Sequence, residues 1–216
     1  MSRPETQLAP ATDNRGAVLV PVKTFALAKG RLSDALDPLA RARLAQEMAA
    51  HVVRVQQGVT TAVCCDDVGV AEWALSVGAS VIWVPGTDLN GAVQHGVSEL
   101  RRKGYESVAV AHGDLPLAAS LAPLLGWVGV TLVPDRHRAG SNVISFPTSI
   151  DFQFSYGADS MRRHVAEAVR HGCGVRIVHN PNLGWDIDYP SDLVGSGSPI
   201  LSGLLETTQT TSTAPS

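Results

Sequence analysis

The first half of the chain alternates short apolar runs with longer segments in which apolar residues recur at helical spacing. The apolar runs fit buried strands and cover residues 17–22, 60–65, 80–84 and 107–111. The helical segments between them cover residues 39–55, 68–77 and 89–103. Such alternation is typical of parallel sheets, because a chain must cross back over the sheet before its next strand can run parallel. We therefore predict an α/β fold with a single doubly wound, mostly parallel sheet and helices on both faces.

The second half is less regular but has the same kinds of segment. We predict a helix at residues 118–125 and strands at 128–133, 142–146 and 174–178. A further helix is expected to start at a cap formed by Asp159 or Ser160 and to end near His171. In the first half, Ser33 or Asp34 is the predicted cap of the helix at residues 39–55.

The length of the chain favours one domain. A chain of 216 residues can build one substantial core, and we predict a domain over residues 16–194. Residues 1–15 lack periodicity, and residues 195–216 are rich in Ser, Thr and Gly, so we expect a disordered leader and a disordered tail.

Composition excludes several classes of partner. A net charge of −3 argues against nucleic acid as a polyanionic ligand. No run of about 18 apolar residues occurs, and no apolar segment follows a basic start, so neither a membrane span nor export is expected. Three cysteines, of which Cys64 and Cys65 are adjacent in a predicted strand, make a poor disulfide framework and indicate a reducing cytoplasm.

Asp114 lies just after one of the predicted buried strands. The run Val108–Ala111 ends in His112-Gly113-Asp114-Leu115-Pro116, and a proline blocks ordinary continuation of a strand. Ligands of open α/β sheets bind at the carboxyl ends of the strands, where a carboxylate can hold magnesium against phosphate oxygens. Asp and Pro are also ordinary turn residues, so Asp114 could instead cap the next turn.

Three cations follow the first predicted strand. Lys23, Lys29 and Arg31 are expected at the same edge of the sheet as Asp114, where they could neutralise a triphosphate. The glycine pattern of a P-loop is absent, as is a G-x-G-x-x-G fingerprint. A solvated basic loop with no ligand is the alternative.

Asp186 and Asp188 form a second acidic site candidate. Side chains alternate along an extended segment, so the two carboxylates of Asp186-Ile187-Asp188 should share one face. With Asp114 they are sufficient to hold one or two magnesium ions whose remaining ligands are waters and phosphates. Capping of a final helical turn by Asp188 or Ser191 is an alternative that could hold for one of these residues.

Two glycine-containing turns offer hydroxyls and backbone N–H groups to an anion. They are residues 139–142, with Ser141, and residues 156–160, with Gly157 and Ser160. The second turn leads into a predicted helix whose N-terminus favours negative charge, so the pair could bind a small phosphorylated acid. Ser and Gly are also common in turns without any ligand.

The chain shows no signature of a zinc site or of a protein nucleophile. His112, His137 and His164 are scattered, and no Gly-x-Ser-x-Gly motif occurs. The chemistry that remains is transfer by positioning and electrostatics, as in in-line displacement at phosphorus.

Five motifs carry a resemblance to a known family. They are Pro21-Val22-Lys23, Ala28-Lys29-Gly30-Arg31-Leu32, Leu89-Asn90-Gly91-Ala92, Gly113-Asp114-Leu115-Pro116 and Asp186-Ile187-Asp188-Tyr189-Pro190-Ser191-Asp192-Leu193. Together they resemble the guanylyltransferases of coenzyme F-420 biosynthesis, within the Rossmann-like, GT-A-type nucleotidyltransferases. The resemblance covers residues 17–194. The Gly-Asp-Leu-Pro and Asp-Ile-Asp motifs are shared across the wider class, whereas the Lys-Arg loop is more particular to the F-420 group.

The resemblance implies a reaction and a set of roles. GTP would react with a small phosphorylated carboxylic acid and release pyrophosphate. Asp114, Asp186 and Asp188 would hold magnesium. Ser141, where the family often has Thr, would grip the acid with Gly157 and Ser160. The positions of the remaining residues at the same edge, rather than the resemblance, predict catalysis by Lys23, Lys29 and Arg31 and nucleotide contacts by Lys29, Arg31 and Asn90.

Several alternatives stay open at this point. Phosphoenolpyruvate is the expected acid because the chain looks more like the bacterial members that use it, with 2-phospho-L-lactate and 3-phospho-D-glycerate as alternatives. A GT-A glycosyltransferase and a catalytically silent nucleotide-binding protein are more distant possibilities. A homodimer and a downstream pathway transferase are possible protein partners.

Overall fold

The computed structural model describes residues 15–194, 197–198 and 200–201. Within them, seven strands form one sheet and four α-helices cover it. The strands are β1 (Gly16–Pro21), β2 (Thr60–Cys65), β3 (Ser80–Trp83), β4 (Ser107–Ala111), β5 (Val130–Pro134), β6 (Ser141–Pro147) and β7 (Val175–Ile177). The helices are α1 (Pro38–Arg54), α2 (Val68–Ser76), α3 (Leu89–Arg102) and α4 (Ser160–Arg170).

The sheet is mostly parallel, as predicted, with one reversed strand. Its order is β3-β2-β1-β4-β6-β5-β7. Only β6 runs antiparallel to its neighbours within the described sheet, with Ala111 of β4 opposite Val143 and Pro134 of β5 opposite Ser141. The N-terminal end of β6 therefore lies beside the carboxyl ends of β4 and β5. Residues that begin β6 thus join those that follow β4 and β5 at one edge of the sheet.

Both faces of the sheet are covered by helices, because the strands are apolar on both sides. Val18 and Val20 of β1 pack into a core cluster with α1 and α2. Ala17 and Leu19, which point the opposite way, pack into a second cluster with α3 and α4. The predicted doubly wound arrangement is confirmed.

Three local predictions are corrected by the structure. Helix α1 is capped not by Ser33 or Asp34 but by Asp37, whose carboxylate accepts from Ala40 N at 2.8 Å, with Pro38 at the first helical position. The predicted helix at residues 118–125 reduces to one 3-10 turn at Ala122–Leu124. A proline inside so short a segment removes a backbone donor that a longer helix would need.

The third correction concerns the start of α4. Asp159 occupies the N-cap position, but its backbone is left-handed (φ 54°) and its side chain makes no capping hydrogen bond. The first turn is held instead by Met161 N, which donates to Ala139 O at 3.1 Å. Helix α4 is therefore anchored on the turn that precedes β6.

The packed part of the chain continues past residue 194. Leu201 is buried in a third core cluster with Leu32, Leu44, Met48 and Ile187. Arg15, the last residue of the predicted leader at residues 1–15, belongs to the described part, where its carbonyl oxygen accepts from Glu106 N at 2.7 Å. Residues 1–14 and most of the predicted tail at 195–216 lie outside the described residues. Of the helices that are described, none is both long and apolar enough to span a bilayer.

Candidate active site

The carboxyl edge of the sheet carries two adjoining clefts. The larger, about 570 Å³, contains the acidic residues and both glycine-containing turns. The smaller, about 320 Å³, is lined mainly by the loop after β1 and by α1. Leu89, His112 and Asp114 line both clefts. Asp114 therefore lies at the junction, within reach of two ligands at once.

The segment with Asp186 and Asp188 is fixed against the end of β4. Ile187 is fully buried, and its N–H donates to Asp114 O at 3.3 Å. The flanking carboxylates both line the larger cleft, as the alternation of side chains predicts. Asn142, near the start of β6, donates through Nδ2 to Leu183 O at 3.0 Å and to Asp186 Oδ1 at 3.4 Å.

Lys29 bridges two of the carboxylates. Its Nζ lies 2.6 Å from Asp114 Oδ2 and 3.1 Å from Asp188 Oδ1, and its side chain is only 10% exposed. The Lys29 backbone is left-handed (φ 54°, ψ 41°), which costs a residue with a Cβ roughly 1 kcal/mol. The two ion pairs offset that cost and hold the cation between the acids.

These contacts set the protonation of the site. Burial favours neutral Lys29, but the Asp114 and Asp188 carboxylates raise its pKa above the ordinary value. Burial acts against the charged form of Asp114 too, yet Lys29 and then His112 lower the pKa of that carboxyl. Burial, and then the neighbouring charge of Asp114, raises the pKa of Asp186. The site thus has more carboxylates than Lys29 can neutralise.

The residues present fit a divalent cation whose coordination is completed by a ligand. Asp114 Oδ1 is buried with no hydrogen-bond partner in the described part of the chain. Nowhere among the described residues do three His, Cys, Asp or Glu side chains converge into a complete metal site. Magnesium commonly uses one or two protein carboxylates together with waters and substrate phosphates. That pattern matches these acids better than a closed protein cage does.

The other two predicted cations occupy different positions. Arg31 donates to Asp188 Oδ2 at 3.0 Å and lies over the Tyr189 ring at 5.3 Å, with 64% of its side chain exposed. Lys23 lines the smaller cleft and is exposed. No ion pair involves Lys23 in the described part of the protein, so its charge is available to a ligand.

The acid-binding residues predicted from the two turns come together in the larger cleft. Asp135, which follows β5, accepts from Ala139 N at 3.0 Å and Gly140 N at 2.7 Å and so shapes the first turn. Ser141 N then donates to Ser160 Oγ at 3.2 Å, which joins the first turn to the second. Gly157 has φ +116°, a conformation that residues with a Cβ rarely adopt.

The structure places Asn90 against the second turn, and its contact with the nucleotide stays a prediction. Its Oδ1 accepts from Tyr156 N at 2.7 Å, and the residue is not among those that line the two clefts. The Asn90 side chain therefore holds the second turn in place.

Arg136 and Asp192 are site residues to which the sequence analysis assigned no role. Buried Asp192 forms an ion pair with half-buried Arg136 and accepts from Asp188 N at 2.8 Å and Tyr189 N at 2.7 Å. Arg136 also lies 4.5 Å over the Trp185 ring and donates to Asp186 O at 3.3 Å. The two residues together clamp the acidic segment. Their positions in the sequence could have indicated a role in the site, because Arg136 follows the end of a strand and Asp192 lies within a family motif.

Replacing Asp192 with asparagine should weaken this clamp. Burial opposes the charge of Asp192, but the Tyr189 and Asp188 N–H groups and Arg136 lower its pKa, so the native residue is ionised. Asn keeps an acceptor but leaves Arg136 without a counterion, and we expect about 2 kcal/mol less stability. Urea denaturation measures the loss, with exposed Asp34→Asn as the control. Equal stability of the two variants would contradict the clamp.

The family comparison matches nearly the whole described domain. Residues 16–200 match the family model described as guanylyl transferase CofC like. A phosphoenolpyruvate guanylyltransferase from Conexibacter woesei is 36% identical over 187 residues, covering 81% of this chain and 84% of that protein. Another, from Rubrobacter xylanophilus, is 34% identical over 184 residues, covering 81% of this chain and 90% of that protein.

Solved structures with low sequence identity share the fold. A protein described as a nucleotide-diphospho-sugar transferase from Desulfovibrio desulfuricans has a TM-score of 0.73 at 18% identity, covering 91% of this chain and 96% of its own. A nucleotidyl transferase from Methanothermobacter has a TM-score of 0.62 at 15% identity, covering 89% of this chain and 98% of its own. The seven-stranded sheet is thus one on which nucleotidyl transferases are built.

Proposed function

The chain belongs to the CofC-like guanylyl transferases, and from that premise we propose that it transfers GMP from GTP to the phosphate of phosphoenolpyruvate. A phosphate oxygen of the acid attacks the α-phosphorus of GTP, and the bond between that phosphorus and the bridging oxygen to the β-phosphate breaks. The products are enolpyruvyl-diphospho-guanosine and pyrophosphate. This would be an early step in coenzyme F-420 biosynthesis, with a transferase downstream that consumes the product.

The observation that carries the proposal is the pair of clefts that meet at Asp114. The smaller cleft, with Lys23 at its side and apolar walls, suits the nucleotide. The larger cleft, with Ser141, Gly157 and Ser160, suits the phosphorylated acid. A donor and an acceptor held on either side of one carboxylate have the arrangement that in-line transfer needs.

Charge neutralisation is the main task of the residues between the clefts. Asp114, Asp186 and Asp188 are the residues that would hold magnesium, which when bound offsets charge on the phosphates. Lys29 and Arg31 lie beside these acids, and Lys23 lies at the nucleotide side, so all three can stabilise the α-phosphate and the leaving pyrophosphate. Because the attacking phosphate oxygen is already anionic, no general base is required. Asn90, next to Leu89 at the start of α3, stays a proposed nucleotide contact.

Competition among three acids tests the substrate. Pyrophosphate release is measured with GTP, magnesium and either phosphoenolpyruvate, 2-phospho-L-lactate or 3-phospho-D-glycerate, with ATP replacing GTP as the control. We expect kcat/KM for phosphoenolpyruvate to exceed that for the other acids by about tenfold, the discrimination that a few pocket contacts supply. Mass spectrometry identifies the product. Preference for another acid would revise the substrate, and no release with any acid would overturn the proposal.

A further inference from the structure

His164 is a buried residue next to the proposed acid-binding turns. It lies one helical turn after Ser160 in α4 and is 0% exposed. Its ring packs edge to face against Tyr156 and also contacts the Phe152 ring, at centroid distances of 5.0 and 5.8 Å. A buried imidazole among aromatic rings must satisfy both ring nitrogens within the protein.

The hydrogen bonds of His164 determine which nitrogen carries the proton. Ser155 N donates to His164 Nε2 at 3.0 Å. A backbone N–H can only donate, so Nε2 is unprotonated and the neutral ring has its proton on Nδ1. Nδ1 lies 3.0 Å from Ser141 Oγ, and it therefore donates to that hydroxyl oxygen. Burial, followed by the nearby Arg163 and His112, lowers the pKa of His164 to about 4 despite the opposing charge of Glu167.

This bond direction sets the role of the Ser141 hydroxyl. With its oxygen accepting from His164, the hydroxyl is left to donate its own proton. Its acceptor in the structure is Met161 Sδ at 3.6 Å, and a thioether is a weak acceptor. An anionic oxygen in the adjoining cleft would compete easily for that proton, because hydrogen bonds to charged acceptors are about twice as strong as neutral ones.

We propose that His164 is a positioning residue that makes Ser141 a hydrogen-bond donor to the anionic acid. The proposal rests on the proposed function for the identity of the acid. It extends the site to a residue that touches neither substrate, because the contact with the acid is made through Ser141. The bond from Ser155 N to Nε2 fixes the tautomer on which that role depends.

Two substitutions separate the two hydrogen bonds. His164→Asn places an amide nitrogen where Nδ1 lies and keeps the donor to Ser141, whereas His164→Gln keeps an acceptor near Nε2 and loses that donor. We expect His164→Gln to raise KM for phosphoenolpyruvate about tenfold, with kcat and KM for GTP within about threefold of wild type. His164→Asn should stay within about threefold for all three constants. In a Ser141→Ala background, His164→Gln should add no further change.

Thermal denaturation of both variants controls for folding. A merely structural role would raise KM for the acid equally in both variants, in proportion to their loss of stability, and that result would overturn the proposal. Wild-type turnover separately tests the proposed function.

Nitrogen NMR of the His164 ring provides a readout that needs no activity. Long-range proton–nitrogen correlation at pH 7, with His164→Asn identifying the signals, should show a protonated Nδ1 and an unprotonated Nε2. The opposite tautomer would overturn the proposal even in an active enzyme. If wild type fails to use phosphoenolpyruvate, the proposed function is wrong. The tautomer would still show whether His164 Nδ1 donates to Ser141 Oγ.

Discussion

Asp114→Asn is expected to lower kcat by at least about a thousandfold, because it removes a charge at the point where the two clefts meet. Asn is nearly the same size and can still accept from Lys29, so the shape of the site should change little. What it loses is the charge that would hold a divalent cation against the phosphates. KM for GTP should rise less than kcat falls, since most of the lost interaction is made in the transition state.

The effect of Asp114→Asn is measured by pyrophosphate release over a magnesium titration. Exposed Asp66, which follows β2 and lines neither cleft, gives the matched control Asp66→Asn. We expect the control to retain wild-type kcat and the wild-type enzyme to lose activity in excess EDTA. Mn²⁺ binding, followed by electron paramagnetic resonance, should weaken in Asp114→Asn. Unchanged turnover in this variant would show that the metal assignment is wrong.

General rules about strands predict which residues meet at the carboxyl ends of the sheet. Parallel strands place their carboxyl ends together, so residues after β1 and β4 could be expected to meet although Lys29 and Asp114 are 85 positions apart. The alternation of side chains likewise put Asp186 and Asp188 on the same side of a buried Ile187. The alternation of side chains along a strand, and the parallel direction of strands joined by helices, can both be inferred from short stretches of sequence.

Other features depend on partners that local pattern does not reveal. The apolar pattern of β6 does not show whether the strand is parallel or antiparallel to its neighbours. Because β6 is antiparallel to β4, Ser141 lies at the carboxyl end of β4. Arg136 and Asp192 pair across 56 positions, and nothing near either residue indicates the other. Asn90 carries the same polar group whether it contacts a nucleotide or Tyr156 N. Such choices are decided by packing, which is a property of the whole fold.

Lys29 is expected to have the largest effect on stability, because it neutralises two carboxylates from a buried position. Lys29→Met leaves Asp114 and Asp188 facing each other without that cation, and we expect about 3 kcal/mol less stability. Exposed Arg31 pairs with Asp188 alone, so Arg31→Met should cost less than about 1 kcal/mol. Lys29→Met combined with Asp114→Asn should be less destabilised than the sum of the single variants, because the uncompensated charge is gone.

The same variant distinguishes a structural ion pair from a cation that shares its position with metal. Without the ammonium, the carboxylates are not neutralised and should bind a divalent cation more tightly. Magnesium should therefore raise the Tm of Lys29→Met more than that of wild type. Turnover should nevertheless fall at least about a hundredfold, since metal at the carboxylates does not replace the charge that Lys29 offers to the phosphates. Equal magnesium stabilisation of the two proteins, with turnover retained, would assign Lys29 to folding alone. If magnesium raises the Tm of Lys29→Met more than that of wild type and turnover is lost, Lys29 both neutralises the acids in the free enzyme and takes part in the transfer step.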